Sequence, residues 1–227
     1  MLDLSSTARP EASGAPLLMV AELEHRIANE YALAVASLSL AAARSKDAET
    51  TAALAGAAQR LRDFADAHRA LQAPAAPGPA DLGDHLQRLC DALVRASLAE
   101  RGIGLTLVRE EIILDAEQCW RVALIVSELI TNAVRHGLHG KPGEIHVEIG
   151  ASASVVYCRV SDNGRPSGPE GAGRGTRLIT ALAQELGGHF DRIRGPTGTT
   201  AVLWFPRQAE VSHAALLGAD DTAVIAS

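Results

Sequence analysis

Residues 127–137 read Ser-Glu-Leu-Ile-Thr-Asn-Ala-Val-Arg-His-Gly, and their spacing decides the reading of everything around them. Glu128, Asn132 and Arg135/His136 fall on one helical face, and Leu129, Ile130, Ala133 and Val134 fall on the other. The run sits in a helix expected from Asp115 as N-cap to about residue 138, with Gly137 near its C-terminal end. A carboxylate, an amide and a cation stacked at this spacing suit Mg2+ and phosphate oxygens. Magnesium takes hard oxygen ligands, keeps several waters and uses one or two protein groups. The solvated face of an ordinary amphipathic helix explains the same pattern equally well.

On either side of this helix the pattern alternates between helix and strand. Residues 81–99 read as a helix and 104–110 as a strand. Residues 144–149, 155–161, 188–194 and 199–205 have strand character, and 174–186 are helical. The expected class is α+β, with helices on one face of a mixed sheet. Upstream the character changes. Residues 17–44 hold no Pro or Gly, and Val20, Leu23, Ile27, Tyr31, Ala34, Leu38 and Ala41 form one helical stripe. A turn at 45–47 leads to a second helix at 48–72, striped by Leu54, Ala57, Leu61, Phe64, His68 and Leu71. A lone hairpin cannot bury both seams, so two chains are expected to form a four-helix bundle. Residues 73–80, with three prolines and a glycine, read as a linker. The expected divisions are a disordered 1–16, a hairpin at 17–72, the linker at 73–80, an α/β domain at 81–206 and a loose tail at 207–227.

Composition narrows the function classes. Of 227 residues, 47% are hydrophobic and 21% charged, enough for a packed core; aromatics are only 3%, so that core is built of Ala, Leu, Val and Ile. A net charge of −6 without a basic tract argues against nucleic-acid binding, which depends on neutralising phosphates. Cys90, Cys119 and Cys158 have neither metal spacing nor a disulfide pattern, which points to a reducing compartment. No apolar run reaches the roughly 20 residues that span a bilayer. The first residues lack a signal-peptide pattern, and only about 16 residues precede the hairpin, so a cytoplasmic protein without its own sensor domain is expected.

Three further stretches carry chemistry. Glu24-His25-Arg26-Ile27-Ala28-Asn29 puts His25 and Asn29 on one helix face, offset from the apolar stripe. An exposed neutral imidazole is a competent nucleophile toward phosphorus, although a plain surface histidine fits the hexapeptide better on its own. Val160-Ser-Asp162-Asn163-Gly164 ends a strand, and a glycine-rich stretch through Gly173 and Gly175 then enters a helix, where backbone N–H groups can meet an anion. Gly195-Pro-Thr-Gly198-Thr199-Thr200 turns into the last strand and, taken alone, is a hairpin.

The order of these signals over residues 17–206 resembles the sensor histidine kinases of two-component systems. The second half resembles their Bergerat-type (GHKL) ATP-binding domain, and the first half the subgroup whose phospho-acceptor motif reads His-Arg-x-x-Asn. The resemblance implies autophosphorylation of His25 from Mg-ATP, supported by Glu24, Arg26 and Asn29, and transfer to a response-regulator receiver domain from a homodimer. It implies that Asn132 ligates Mg2+ and that Glu128 positions a bound water or the attacking group. It implies that Arg135 and His136 reach the phosphates and that Gly173 and Gly175 cover them. Asp162 would accept from the adenine amino group, Gly164 would leave room for the ring, and Thr199 would assist at its edge. Two departures from the pattern stand out. Pro166 occupies a position where the family often has glycine, and the stretch between Asp162 and Gly173 is short. The alternatives are a non-enzymatic phosphotransfer protein with a decayed nucleotide site, or a kinase-like adaptor or anti-sigma-type regulator that uses the fold only for protein binding.

Overall fold

The structure is a computed structural model that describes residues 15–166 and 173–207, with side chains from residue 26 onward. Two long helices come first, α1 (Ala15–Arg44) and α2 (Ala48–Ala70). Asp47 caps α2 by accepting from the Thr50 N–H at 2.8 Å. The expected stripe on α1 is only half-buried at Ile27, Tyr31, Ala34 and Leu38, while Leu33 and Leu40 stand in solvent.

A compact α/β unit follows. Its elements are β1 (Pro79–Asp81), α3 (Leu82–Leu93), β2 (Ile103–Val108), β3 (Ile113–Asp115), α4 (Ala116–Asn132), β4 (Gly143–Ala151), β5 (Val155–Asp162), α5 (Arg174–Glu185), β6 (His189–Gly195) and β7 (Gly198–Pro206). The main sheet runs β2-β4-β5-β7-β6; β2 is parallel to β4 and the other pairs are antiparallel. Alternation sets its two faces. Ile145, Val147, Ile149, Val156, Cys158, Val160, Leu203 and Phe205 are buried in the core shared with α3, α4 and α5, while Glu144, His146, Arg159 and Trp204 face outward. The α+β expectation, with helices on one face of a mixed sheet, agrees with this architecture.

Local detail departs from expectation in three places. Helix α3 ends at Leu93 and continues as a π turn, Val94–Leu98. Helix α4 ends at Asn132 and continues as a second π turn, Ala133–Gly137. Strands β1 and β3, three residues each, pair with one another, so Pro79 and Ala80 lie in a strand at the end of the stretch read as linker. Asp81 and Asp115 at their ends also cap α3 and α4.

The hairpin docks on the α/β unit through α2. Two carbonyls at its C-terminal end find donors there: Ala70 accepts from His85 Nε2 at 3.0 Å and Leu71 from Trp120 Nε1 at 2.9 Å. Burial holds the His85 ring below the usual histidine range, and the facing Arg88 guanidinium adds to the effect. The buried Asp63 meets Arg95 at 3.3 Å, and Arg60 meets Glu100 at 3.0 Å. Ala58 and Ala67 on the same helix are buried, and Ala70 and Leu71 pack against the core of the α/β unit. Among the described residues no helix is long and apolar enough to cross a membrane.

Candidate functional site

Asp162 and Asp63 are the only charged side chains buried among the described residues. Asp162 ends β5 in register with Thr199 on β7. Its carboxylate accepts from the Gly164 N–H at 2.9 Å and from the Thr199 N–H and hydroxyl. Burial pushes its carboxyl above the ordinary aspartate range, an effect these hydrogen bonds oppose.

Three glycines make room for this carboxylate and its strand. A Cβ at Gly137 would overlap the Asp162 carboxylate, and one at Gly164 would overlap the Gly137 carbonyl. At Gly198 a Cβ would strike the Asp162 carbonyl, and φ there is +145°. The π turn after α4 brings Gly137 into this position, and the Arg165 N–H closes on the Gly137 carbonyl at 3.0 Å. π turns inside helices recur at functional sites.

Asn132, His136, Asp162 and Thr199 line one narrow cavity of about 40 Å³, which is closed further by Leu129, Ala133, Gly137, Val160, Pro166, Arg192, Arg194 and Ala201. Four of the residues singled out in the sequence thus meet around one space. Gly164 stands beside it, bonded to Asp162, whereas Arg135 is exposed and does not line it. Glu128 and Gly175 meet one another: a side chain at 175 would collide with the Glu128 carboxylate, which lies against the first turn of α5. Gly173 is the N-cap of α5 and supplies no side-chain bond, so the amides of that turn have no side-chain cap.

The motif expected to carry the acceptor is only partly within the described residues. His25 and Glu24 lie within α1, but their side chains fall outside the described residues, as does the stretch 167–172. The expected exposure of the His25 ring therefore lies outside them too. Arg26 and Asn29 are exposed. His68, the rival histidine on the hairpin, has its ring edge-on to Tyr31 at 6.3 Å and a buried Nε2 without a hydrogen-bond partner. Both line a groove of about 330 Å³ between α1 and α2. Burial pushes the three cysteine thiols up to about 12, which leaves no thiolate for chemistry near neutral pH.

Sequence reasoning missed Arg192 and Arg194. Their alternation on β6 could have pointed them inward, because cations two apart on a strand share a face. It also missed why residue 137 is glycine. No cluster of three or more His, Cys, Asp or Glu that could hold a metal exists among the described residues.

Comparison with known proteins gives two adjoining matches. A family model described as "Histidine kinase" matches residues 22–97, and one described as "Histidine kinase-like ATPase domain" matches residues 108–205. Blue-light-activated histidine kinase 2 of Erythrobacter litoralis is 24% identical over 217 residues, covering 90% of this chain and 62% of that protein. Sensor histidine kinase PdtaS of Mycobacterium tuberculosis is 26% identical over 196 residues, covering 82% and 39%. The chain thus spans between about two fifths and three fifths of the length of these relatives. Among solved structures, the histidine kinase domain of the Erythrobacter litoralis EL346 blue-light activated histidine kinase superposes with a TM-score of 0.54 at 21% identity, covering 78% of this chain and 95% of that one. A bacterial phosphotransferase superposes with a TM-score of 0.58 at 12% identity, covering 86% and 98%. Both share the fold.

Proposed function

The chain belongs to the histidine kinases, in the subgroup whose acceptor motif reads His-Arg-x-x-Asn, and on that footing we propose that it phosphorylates its own His25 from Mg-ATP and passes the phosphoryl group to an aspartate of a response-regulator receiver domain. The observation that carries this reading is the meeting of Asn132, His136, Asp162 and Thr199, from three separate stretches of sequence, around one cavity.

Asp162 accepts from the adenine amino group, its carboxylate held in place by Gly164 and Thr199. Asn132 reaches the triphosphate end, with His136 toward the phosphate charge. The uncapped first turn of α5, with Gly173 and Gly175, meets the phosphate oxygens, and Glu128 beside it orients the attacking group. An imidazole nitrogen of His25 attacks the γ-phosphorus in line. The N–P bond forms, the bond to the ADP oxygen breaks, ADP leaves with the electron pair, and the ring gives up its remaining proton to solvent or a base. Attack by the receiver carboxylate then breaks the N–P bond. Such transfers rest mostly on positioning and electrostatics.

The donor set at the cavity fits a magnesium ion that arrives with the nucleotide. Asn132, whose side chain carries one hard amide oxygen, lines the site, and no dedicated metal cluster exists among the described residues. That matches an ion held by phosphates, waters and one or two protein groups. Bound there, magnesium supplies charge neutralisation on the triphosphate.

A homodimer completes the hairpin. Leu33, Leu40 and Phe64 are exposed, and the inner stripes are only half-buried. Covering a Leu or Phe side chain is worth roughly 1.5–3 kcal/mol.

Pro166 favours a second reading, a phosphotransfer protein without nucleotide. It lines the narrow cavity, offers no N–H, and leaves a purine to displace a lining side chain. Calorimetry with Mg-ATP separates the two. The kinase reading expects saturable binding that weakens sharply in Asp162→Ala. Absence of heat, and of any rise in melting temperature, at millimolar nucleotide would hand the case to the phosphotransfer reading.

A further inference from the structure

We propose that His139, which lines neither the cavity nor the acceptor helix, is a positioning residue for adenine recognition. The inference deepens the nucleotide-binding reading above and rests on it.

His139 is the one non-glycine residue with positive φ among the described residues, at +53°. That region is uncommon for a side-chain-bearing residue and persists where the surroundings over-determine it. Here they do. The ring Nε2 lies 3.1 Å from the Arg165 carbonyl. A carbonyl only accepts, so Nε2 carries the hydrogen, in the neutral ring as in the charged one. The Arg165 N–H bonds back to the Gly137 carbonyl at 3.0 Å. Residues 137–139 and 163–165 are therefore laced at both sides of one residue, Arg165, its N–H by the Gly137 backbone and its carbonyl by the His139 ring.

What lies between these bonds is the wedge that sets Asp162. Gly137 touches the Asp162 carboxylate, Gly164 touches the Gly137 carbonyl, and the Gly164 N–H donates to Asp162 Oδ1. The other side of the same loop is tied by a reciprocal pair, the Asn163 N–H to the Glu144 carbonyl and the Glu144 N–H to Asn163 Oδ1. Loosening the Arg165 carbonyl frees the loop that aims the carboxylate at a purine amino group. It leaves Asn132 and the phosphate end of the site untouched. The loss therefore falls on adenine affinity and on discrimination between adenine and guanine, not on the transfer step.

The test uses the full chain and three variants. His139→Gly removes the ring and relieves the positive φ, so it folds at least as well as the parent. His139→Gln keeps a nitrogen donor at comparable reach. Asp162→Ala reports whether the nucleotide site itself is correctly assigned. Expected for His139→Gly is a KM for ATP raised about fivefold, kcat within twofold, a reduced preference for ATP over GTP, and a melting temperature not lowered. Expected for His139→Gln is recovery of most of the affinity. If the parent binds ATP, Asp162→Ala does not, and His139→Gly retains parental KM and selectivity, the positioning role is overturned. If neither parent nor variants bind ATP, the nucleotide reading itself fails and this inference falls with it. A drop in kcat at unchanged KM would also contradict it.

Discussion

The two halves of the chain are built from similar apolar residues yet end in different conditions. The α/β unit buries its own. Leu82, Leu86, Ile125, Ile145 and Leu203 are fully covered, and a single continuous core runs from α3 to β7. The hairpin buries only Ala42, Ala58 and Ala67 among its described apolar residues, and the last two are in α2, which docks on the α/β unit. A sheet layered with helices can close a core by itself, whereas two helices present one seam to each other and another to whatever comes next. The half proposed to read ATP is finished; the half proposed to carry the acceptor is not. On the proposed function, that difference leaves the acceptor helix with a surface for a second chain.

Single substitutions probe the contrast between the two halves, beginning in the core. Phe205→Ala, at the centre of the finished half, is expected to cost about 3–5 kcal/mol of unfolding free energy, measured by urea denaturation. Leu33→Ala in the hairpin, at 69% exposure, should change it by under about 0.5 kcal/mol in the single chain. Equal costs at the two sites would dissolve the distinction.

The junction between the halves carries the next effect, and it is asymmetric. Asp63 is buried, while Arg95 is half in solvent. Arg95→Ala strands the carboxylate with only the Gln59 amide at 3.2 Å and should cost about 1–3 kcal/mol. Asp63→Asn leaves Arg95 hydrated and should cost about 1 kcal/mol or less. Thermal unfolding of both variants checks the order.

Leu33→Asp and Leu40→Asp should weaken self-association by about tenfold or more each while leaving the α/β unit's melting temperature unchanged, as read by sedimentation across a concentration series. A monomeric parent at micromolar concentration would remove the reason for the open seam.

The smallest effect is a pH dependence. Burial raises the Asp162 carboxyl above its unfolded value, so the native state holds the proton more tightly than the unfolded chain. Its contribution to stability is present below the unfolded value and is lost as pH rises through the raised folded one. Asp162→Asn should flatten that part of the stability profile. On the role proposed for Asp162, nucleotide affinity runs the other way: the ionised carboxylate is the form that accepts from an amino group, so ATP binding is expected to weaken as pH falls through the same range. Calorimetry between pH 4 and pH 7.5 reads both slopes.

How legible this was depended on the range of the cause. The face of Glu128, Asn132 and His136 follows from spacing within one helix, and strands β4, β5 and β7 from alternation, so both could be read directly. The pairing of Pro79–Asp81 with Ile113–Asp115 could not, because three-residue strands show no period and exist only through each other. The π turns at Val94–Leu98 and Ala133–Gly137 leave the apolar pattern helical and change only the hydrogen bonds. Gly137 was visible as a helix end, but its reason, the Asp162 carboxylate from a distant strand, is a tertiary fact. The same holds for His139, whose partner lies 26 residues further on.

The most direct test of the account is incubation of the full chain with γ-labelled ATP and Mg2+, followed by peptide mapping of the label. The account predicts an acid-labile, alkali-stable label on the peptide containing His25, absent in His25→Ala and reduced more than nucleotide binding in Asn132→Ala. Label that persists in His25→Ala, or label that withstands acid, would contradict it.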